Sequence, residues 1–136
     1  MANEAVIIEL LGTPAGCPIR YIVADGAAIA KGTLMVIADP RTMVAHSGAD
    51  QPCVGILATE KVLSDGQVSI AVYTNGIFDI VAGAAGATTV GNMCATASVA
   101  NKITAADASD LLQQSTVGMC LETHSNDETA AVRVLK

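Results

Sequence analysis

The sequence has no tryptophan, a single phenylalanine and two tyrosines. Its interior must therefore be built from Val, Ile, Leu, Ala and Met, each of which buries less surface than the roughly 150–250 Å² of an aromatic side chain. Such a core is thin, and association with identical chains is an expected source of further stability. Charge is also scarce, at 15% of the 136 residues against the roughly 25% usual in soluble proteins, and it is unbalanced, with a formal net charge of -6. Phosphate binding needs clustered Lys and Arg, whereas Arg20, Lys31, Arg41, Lys61, Lys102, Arg133 and Lys136 are scattered singly. Nucleic acid is not an expected partner. The closely spaced cysteine pairs of a tetrahedral zinc site are missing too, since Cys17, Cys53, Cys94 and Cys120 lie far apart. They read as small core residues, and unpaired thiols fit a reducing compartment. The amino end offers no basic segment followed by an apolar one, so no secretory signal is expected and synthesis is placed in a cytoplasm.

Residues 80–100 carry no charge and are numerous enough to span a bilayer. Their hydrophobicity comes largely from Ala, however, and Gly83, Gly86, Gly91 and Asn92 interrupt them, so the segment reads as strand, turn, strand and no membrane is expected.

What the chain does contain is strand signal. Short β-branched runs recur between Gly, Asn, Asp and Pro, at 6–11, 20–23, 33–38, 42–45, 54–58, 67–74, 77–81 and 130–135. The alternation of Val68, Ile70 and Val72 with Ser69, Ala71 and Tyr73, followed by Asn75-Gly76, predicts a β-hairpin over 67–81 with a type I′ turn. Further turns are expected at Asp25-Gly26, Lys31-Gly32 and Ser64-Asp65-Gly66. One short helix is expected over 105–113, with Thr104 at its cap, Asp107 three residues on, and Leu111-Leu112 as its apolar patch.

An internal echo organises these elements. Lys31 to Met35, Met43-Val44, Cys53-Val54-Gly55-Ile56 and Val68-Ser69-Ile70 run parallel to Val90 to Cys94, Lys102-Ile103, Thr116-Val117-Gly118-Met119 and Val132-Arg133-Val134. The offset drifts from about 59 to 64 residues. The fold expected is mostly β, a compact barrel-like or sandwich-like single domain over 12–136 made of two similar units, preceded by residues 1–11 as an arm or first strand.

Candidate chemistry is sparse. His46 lies in a turn-like stretch and reads as an exposed loop residue. Cys120 and His124 stand four apart, so they would share a face of a strand, but no third group is marked to orient them. Asp107 and Asp110 suit a helix surface, and Glu122, Asp127 and Glu128 a hairpin near the carboxyl end. The glycines at 83, 86 and 91 are not followed by the amphipathic helix that a dinucleotide loop requires, and read as a turn between the two β units. No catalytic residue, cofactor site or metal site is assigned, and the chain is not expected to be an enzyme.

The order of these features resembles the decoration, or cement, proteins of tailed-bacteriophage capsids. The resemblance is carried by Asp25-Gly26 with Ile29 to Val36, by Val54 to Ala58, by Asp65 to Tyr73 running into Gly76-Ile77-Phe78, by the glycine-rich turn over 82–91, and by Thr116 to Met119 before Ala131 to Val134. It implies a β domain on the outer surface of the virion, made in the bacterial host cytoplasm. It also implies a partner in the major capsid protein and self-association as a homotrimer. Members commonly add an amino-terminal strand to the capsid. Here that role would fall on Ala2, Asn3, Glu4, Ala5, Val6, Ile7, Ile8, Glu9, Leu10 and Leu11.

Two other readings compete. The stretch from Gly26 to Ile37 also resembles the entry strand of biotinyl and lipoyl carrier domains, or of another small β-barrel binding module, with Lys61 as the available lysine in Thr59-Glu60-Lys61-Val62. A small hydrolase would instead use Cys120 and His124.

Overall fold

Extended segments with one apolar face cannot stay single in water, because both their side chains and their backbone groups need partners. Here ten of the eleven strands among the described residues solve this by closing into two barrels. The computed structural model describes residues 3–11 and 17–136. In chain order its elements are β1 (Val6–Leu10), β2 (Ile19–Ile22), β3 (Leu34–Asp39), β4 (Thr42–Ala45), β5 (Cys53–Leu57), β6 (Ser69–Tyr73), β7 (Asn75–Ala82), β8 (Met93–Thr96), β9 (Lys102–Ala105), α1 (Ala108–Gln113), β10 (Thr116–Cys120) and β11 (Thr129–Leu135). Strands β2-β4-β3-β5-β6 form one closed barrel. Strands β7-β11-β10-β8-β9 form a second, closed by the parallel pairing of β7 with β9, and β1 is added to its β7 edge.

The barrels share one topology, so the internal echo is a structural repeat. In each, the first strand is parallel to the third and antiparallel to the fifth. The register agrees as well. Met35 faces Gly55 as Cys94 faces Gly118, and Leu57 faces Val72 as Cys120 faces Val132. Left-handed backbone recurs at matching places, at Gly32 and Gly91, Arg41 and Asn101, and Ser64 and Asp127. One expected correspondence is corrected. Ile22 pairs with Ser69 and Val81 with Thr129, so Ile70 matches Ala130, not Val134. The expected barrel architecture and two similar units are both present, with each unit closing on itself.

The hairpin expected over 67–81 does not form. β6 pairs with β2 and β5, while β7 pairs with β1, β9 and β11, so the chain passes through Thr74 from one barrel into the other. Asn75 and Gly76 lie within β7, opposite Leu135 and Val134. Gly76 is required for close approach, because a Cβ there would stand 2.8 Å from the Glu9 carbonyl oxygen and 2.9 Å from the Phe78 ring. The glycine-rich turn likewise connects β7 to β8 inside the second barrel and does not join the two units. The helix begins later than expected. Asp107, not Thr104, is its N-cap, in a capping box with Asp110, and Thr104 belongs to β9. Asp110 is consequently buried.

Val23, Ile29, Met35, Met43, Leu57, Ile70 and Val72 fill the first barrel. The second core holds Phe78, Ile80, Cys94, Ile103, Cys120, Val132 and Val134, and takes in Leu34, Cys53 and Ile56 from the first barrel and Ala5 from the arm. The two barrels are thus packed through a shared apolar cluster. No helix among the described residues is long and apolar enough to cross a membrane.

Candidate docking surfaces

Three of the four thiols and both histidines lie inside. Cys53, Cys94 and Cys120 are buried as expected, whereas Cys17 is exposed. Burial pushes the Cys53 thiol up to about 11, and a hydrogen bond with Cys120 together with burial holds the Cys94 thiol well above its ordinary range. The neutral thiols of Cys53 and Cys94 are poor nucleophiles, whereas the same hydrogen bond from Cys94 lowers the Cys120 thiol against the raising effect of its burial. His124 is buried, with Nε2 3.0 Å from the Gly86 carbonyl oxygen and Nδ1 3.5 Å from that of Glu122. The structure surrounds its ring with backbone acceptors, and the orienting carboxylate of a triad is not among them.

His46 corrects the sequence reading, being 1% exposed and set between the barrels. It follows β4, and its ring reaches the second barrel. The Asn101 backbone N–H donates to Nδ1 at 3.0 Å, which leaves Nε2–H to donate to the carbonyls of Gly48 at 2.8 Å and Ala97 at 3.0 Å. The Asn101 side chain completes the lock by accepting from the Leu34 N–H at 3.0 Å. Burial is the main cause that lowers the His46 pKa, against the raising effect of these carbonyls.

Lys61 is the second buried polar group that the sequence did not announce. Its ammonium is fully covered and bonds to Asp65 Oδ1 at 2.5 Å, the Val62 carbonyl at 2.5 Å, the Asp25 carbonyl at 3.1 Å and Asp25 Oδ1 at 3.4 Å. A lysine that carries biotin or lipoate must reach solvent on a turn. Lys61 instead ties the turns at 25 and 65 together, which removes it as an attachment point.

What the molecule offers outward is strand edge and apolar surface. β1 is the terminal strand of its sheet and among the described residues pairs only with β7. Its base crosses the barrels, because the Ala5 N–H donates to the Gly32 carbonyl at 2.6 Å, and a side chain on Gly32 would strike the Ala5 carbonyl. Ile7 and Leu10 pack onto the second core, while Val6 and Ile8 are 61% and 51% exposed. Alternation turns Ile8 outward like Val6, and the register slip between Ile7 and Glu9 then leaves Glu9 outward as well and brings Leu10 inward. Ala2 lies outside the described residues, as do 12–16. Ile19 and Ile22 on β2, and Val62, Leu63 and Val68 beyond the first barrel's turns, are also exposed.

The outward features are thus the backbone donors and acceptors of a strand edge and exposed apolar side chains around it. The family model described as phage cement protein matches residues 14–135, which spans both barrels and begins after β1. No curated protein matches the chain.

Proposed function

Because the chain belongs to the phage cement protein family, whose members are structural proteins of the capsid, we propose that it binds the outer surface of a phage head and stabilises contacts between neighbouring major capsid protein subunits. It acts there as a homotrimer, after synthesis in the bacterial host cytoplasm. The arm supplies one contact. The observation that carries this is the construction of β1, whose inward residues Ile7 and Leu10 anchor it while Val6, Ile8 and the outer backbone edge stay available. A capsid strand can add to such an edge by main-chain hydrogen bonds, with alternate side chains giving selectivity. Cementing requires apolar contact repeated many times around a shell, and no reactive group.

The test is cosedimentation with phage shells that lack this protein. The wild-type chain is expected to pellet with shells, and a Val6→Glu, Ile8→Glu variant to retain its fold while binding at least tenfold more weakly. Point changes are preferable to removing residues 1–10, because Ala5, Ile7 and Leu10 are part of the core packing. Undiminished binding by the double variant overturns the arm assignment. A wild-type chain that ignores shells overturns the capsid reading itself.

A further inference from the structure

The two barrels have the same topology but not the same surroundings, and the difference is systematic. On the first barrel, Thr33, Leu34 and Ile56 form a face that is 0% exposed, with Leu34 and Ile56 sunk into the second barrel's core. The register makes Asn92, Met93 and Met119 their counterparts on the second barrel. There the same face lies open, with Met93 45% and Met119 42% exposed. The converse holds for the receiving face. On the second barrel Thr96, Ala97 and Asn101 are buried against the first, whereas their counterparts Ile37, Ala38 and Arg41 are exposed on the first. Each chain therefore contains one complete junction and, at its two ends, the unmatched halves of another.

We infer that a second copy of this chain fills this vacancy head to tail, with the Met93 and Met119 face of one copy seated on the Ile37 and Arg41 face of the next. This deepens the self-association proposed above and rests on it. The occupant is a second copy because the interface continues one that already exists within the chain, on matching backbone. The Ala106 N–H donates to the Met93 carbonyl at 3.0 Å, as the His46 N–H donates to that of Leu34 at 2.8 Å. The polar lock does not recur, since Ala106 stands where His46 does and Arg41 where Asn101 does. Charge takes its place, with Arg41 brought toward the helix-capping Asp107 beside Ala106. An interface that joins unlike faces either closes into a ring or continues as a filament. A homotrimer built this way is a ring of six barrels in which the covalent and non-covalent junctions alternate.

Sedimentation velocity on the full chain, without capsids, tests this. Wild-type protein is expected to assemble, and Ile37→Glu and Met119→Glu, each altering one exposed side chain, are each expected to remain single chains with association weakened at least 100-fold. Mixed in equal amounts the two variants are expected to form a dimer and nothing larger, because the pair keeps one intact junction. Arg41→Glu and Met93→Glu repeat the experiment at independent positions, with circular dichroism confirming that each variant is folded. If wild-type protein stays a single chain at high micromolar concentration, self-association itself is lost. If it assembles but either set of variants assembles equally well alone, or the mixture yields no dimer, self-association stands and the head-to-tail faces are wrong.

Discussion

Lys61 and His124 occupy one position in two successive barrels. Each forms an isolated antiparallel bridge, Lys61 with Ile29 and His124 with Thr88, and each side chain is buried there. The backbone solution was kept and the side-chain solution changed. In the first barrel an ammonium gathers two carboxylates and two carbonyls, and in the second an imidazole faces carbonyls alone.

Replacing Lys61 by Met should destabilise the first barrel, because Asp65 and Asp25 would lose their counter-charge. Desolvation is the largest single influence on Lys61 and acts to lower its pKa, but the hydrogen bonds and charges of Asp65 and Asp25 together raise it. The hydrogen bond from Lys61 is the chief cause that holds Asp65 below its ordinary 3.8. The Asp65 contribution is therefore present above about pH 3.8 and fades as pH falls through the lower folded value, while that of Lys61 persists until pH rises past its raised value. Thermal melts at pH 7 and pH 3 should show a wild-type advantage over Lys61→Met that is largest at pH 7. An equal advantage at both would contradict this account.

His46 makes the contact between the barrels sensitive to mild acid. Its folded pKa lies below the ordinary 6.5, so as pH falls below about 6.5 the unfolded chain takes up a proton that the folded one resists. Protonation at Nδ1 would also oppose the Asn101 N–H. Stability in urea should be full above pH 6.5 and decline below it, by at most about 1.4 kcal/mol per pH unit for one proton. His46→Gln should be less stable overall and should lack this component of the decline.

Gly55 and Gly118 are matching positions at which a side chain would collide with a neighbouring strand, at the carbonyls of Tyr73 and Arg133 respectively. Substitution of either by Ala should cost about 1–3 kcal/mol, the usual range for overpacking. Equilibrium denaturation of both variants measures it, and a loss at both positions, larger at Gly55 because its φ of 155° strains a side chain in addition, is the expected result.

The inward residues of the arm should matter to stability where the outward ones do not. Leu10→Ala or Ile7→Ala removes a partly buried side chain from the second core and should cost about 1–2 kcal/mol, below the 2–5 kcal/mol of a fully buried site. Val6→Ala should change stability by less than about 0.5 kcal/mol. Denaturant midpoints of the three variants separate these outcomes.

The sequence by itself determined the strand-rich architecture, the turns at 25–26, 31–32 and 64–66, the burial of Cys53, Cys94 and Cys120, and the repetition of one β unit. Each is written in side-chain alternation or turn chemistry acting over a few residues, and repetition needs only that such signals recur in order. Strand partnership was decided by the tertiary structure. Asn75-Gly76 has the composition of a tight hairpin turn, yet both edges of β6 are taken by β2 and β5, and β7 finds β11 on one side and β1 with β9 on the other. Competition among distant strands outweighed the local preference. The same holds for His46 and Lys61, whose surroundings in sequence are those of exposed loops. Their burial depends on Asn101, Ala97, Asp25 and Asp65, and only closure of the barrels and their packing together brings those partners within hydrogen-bonding reach.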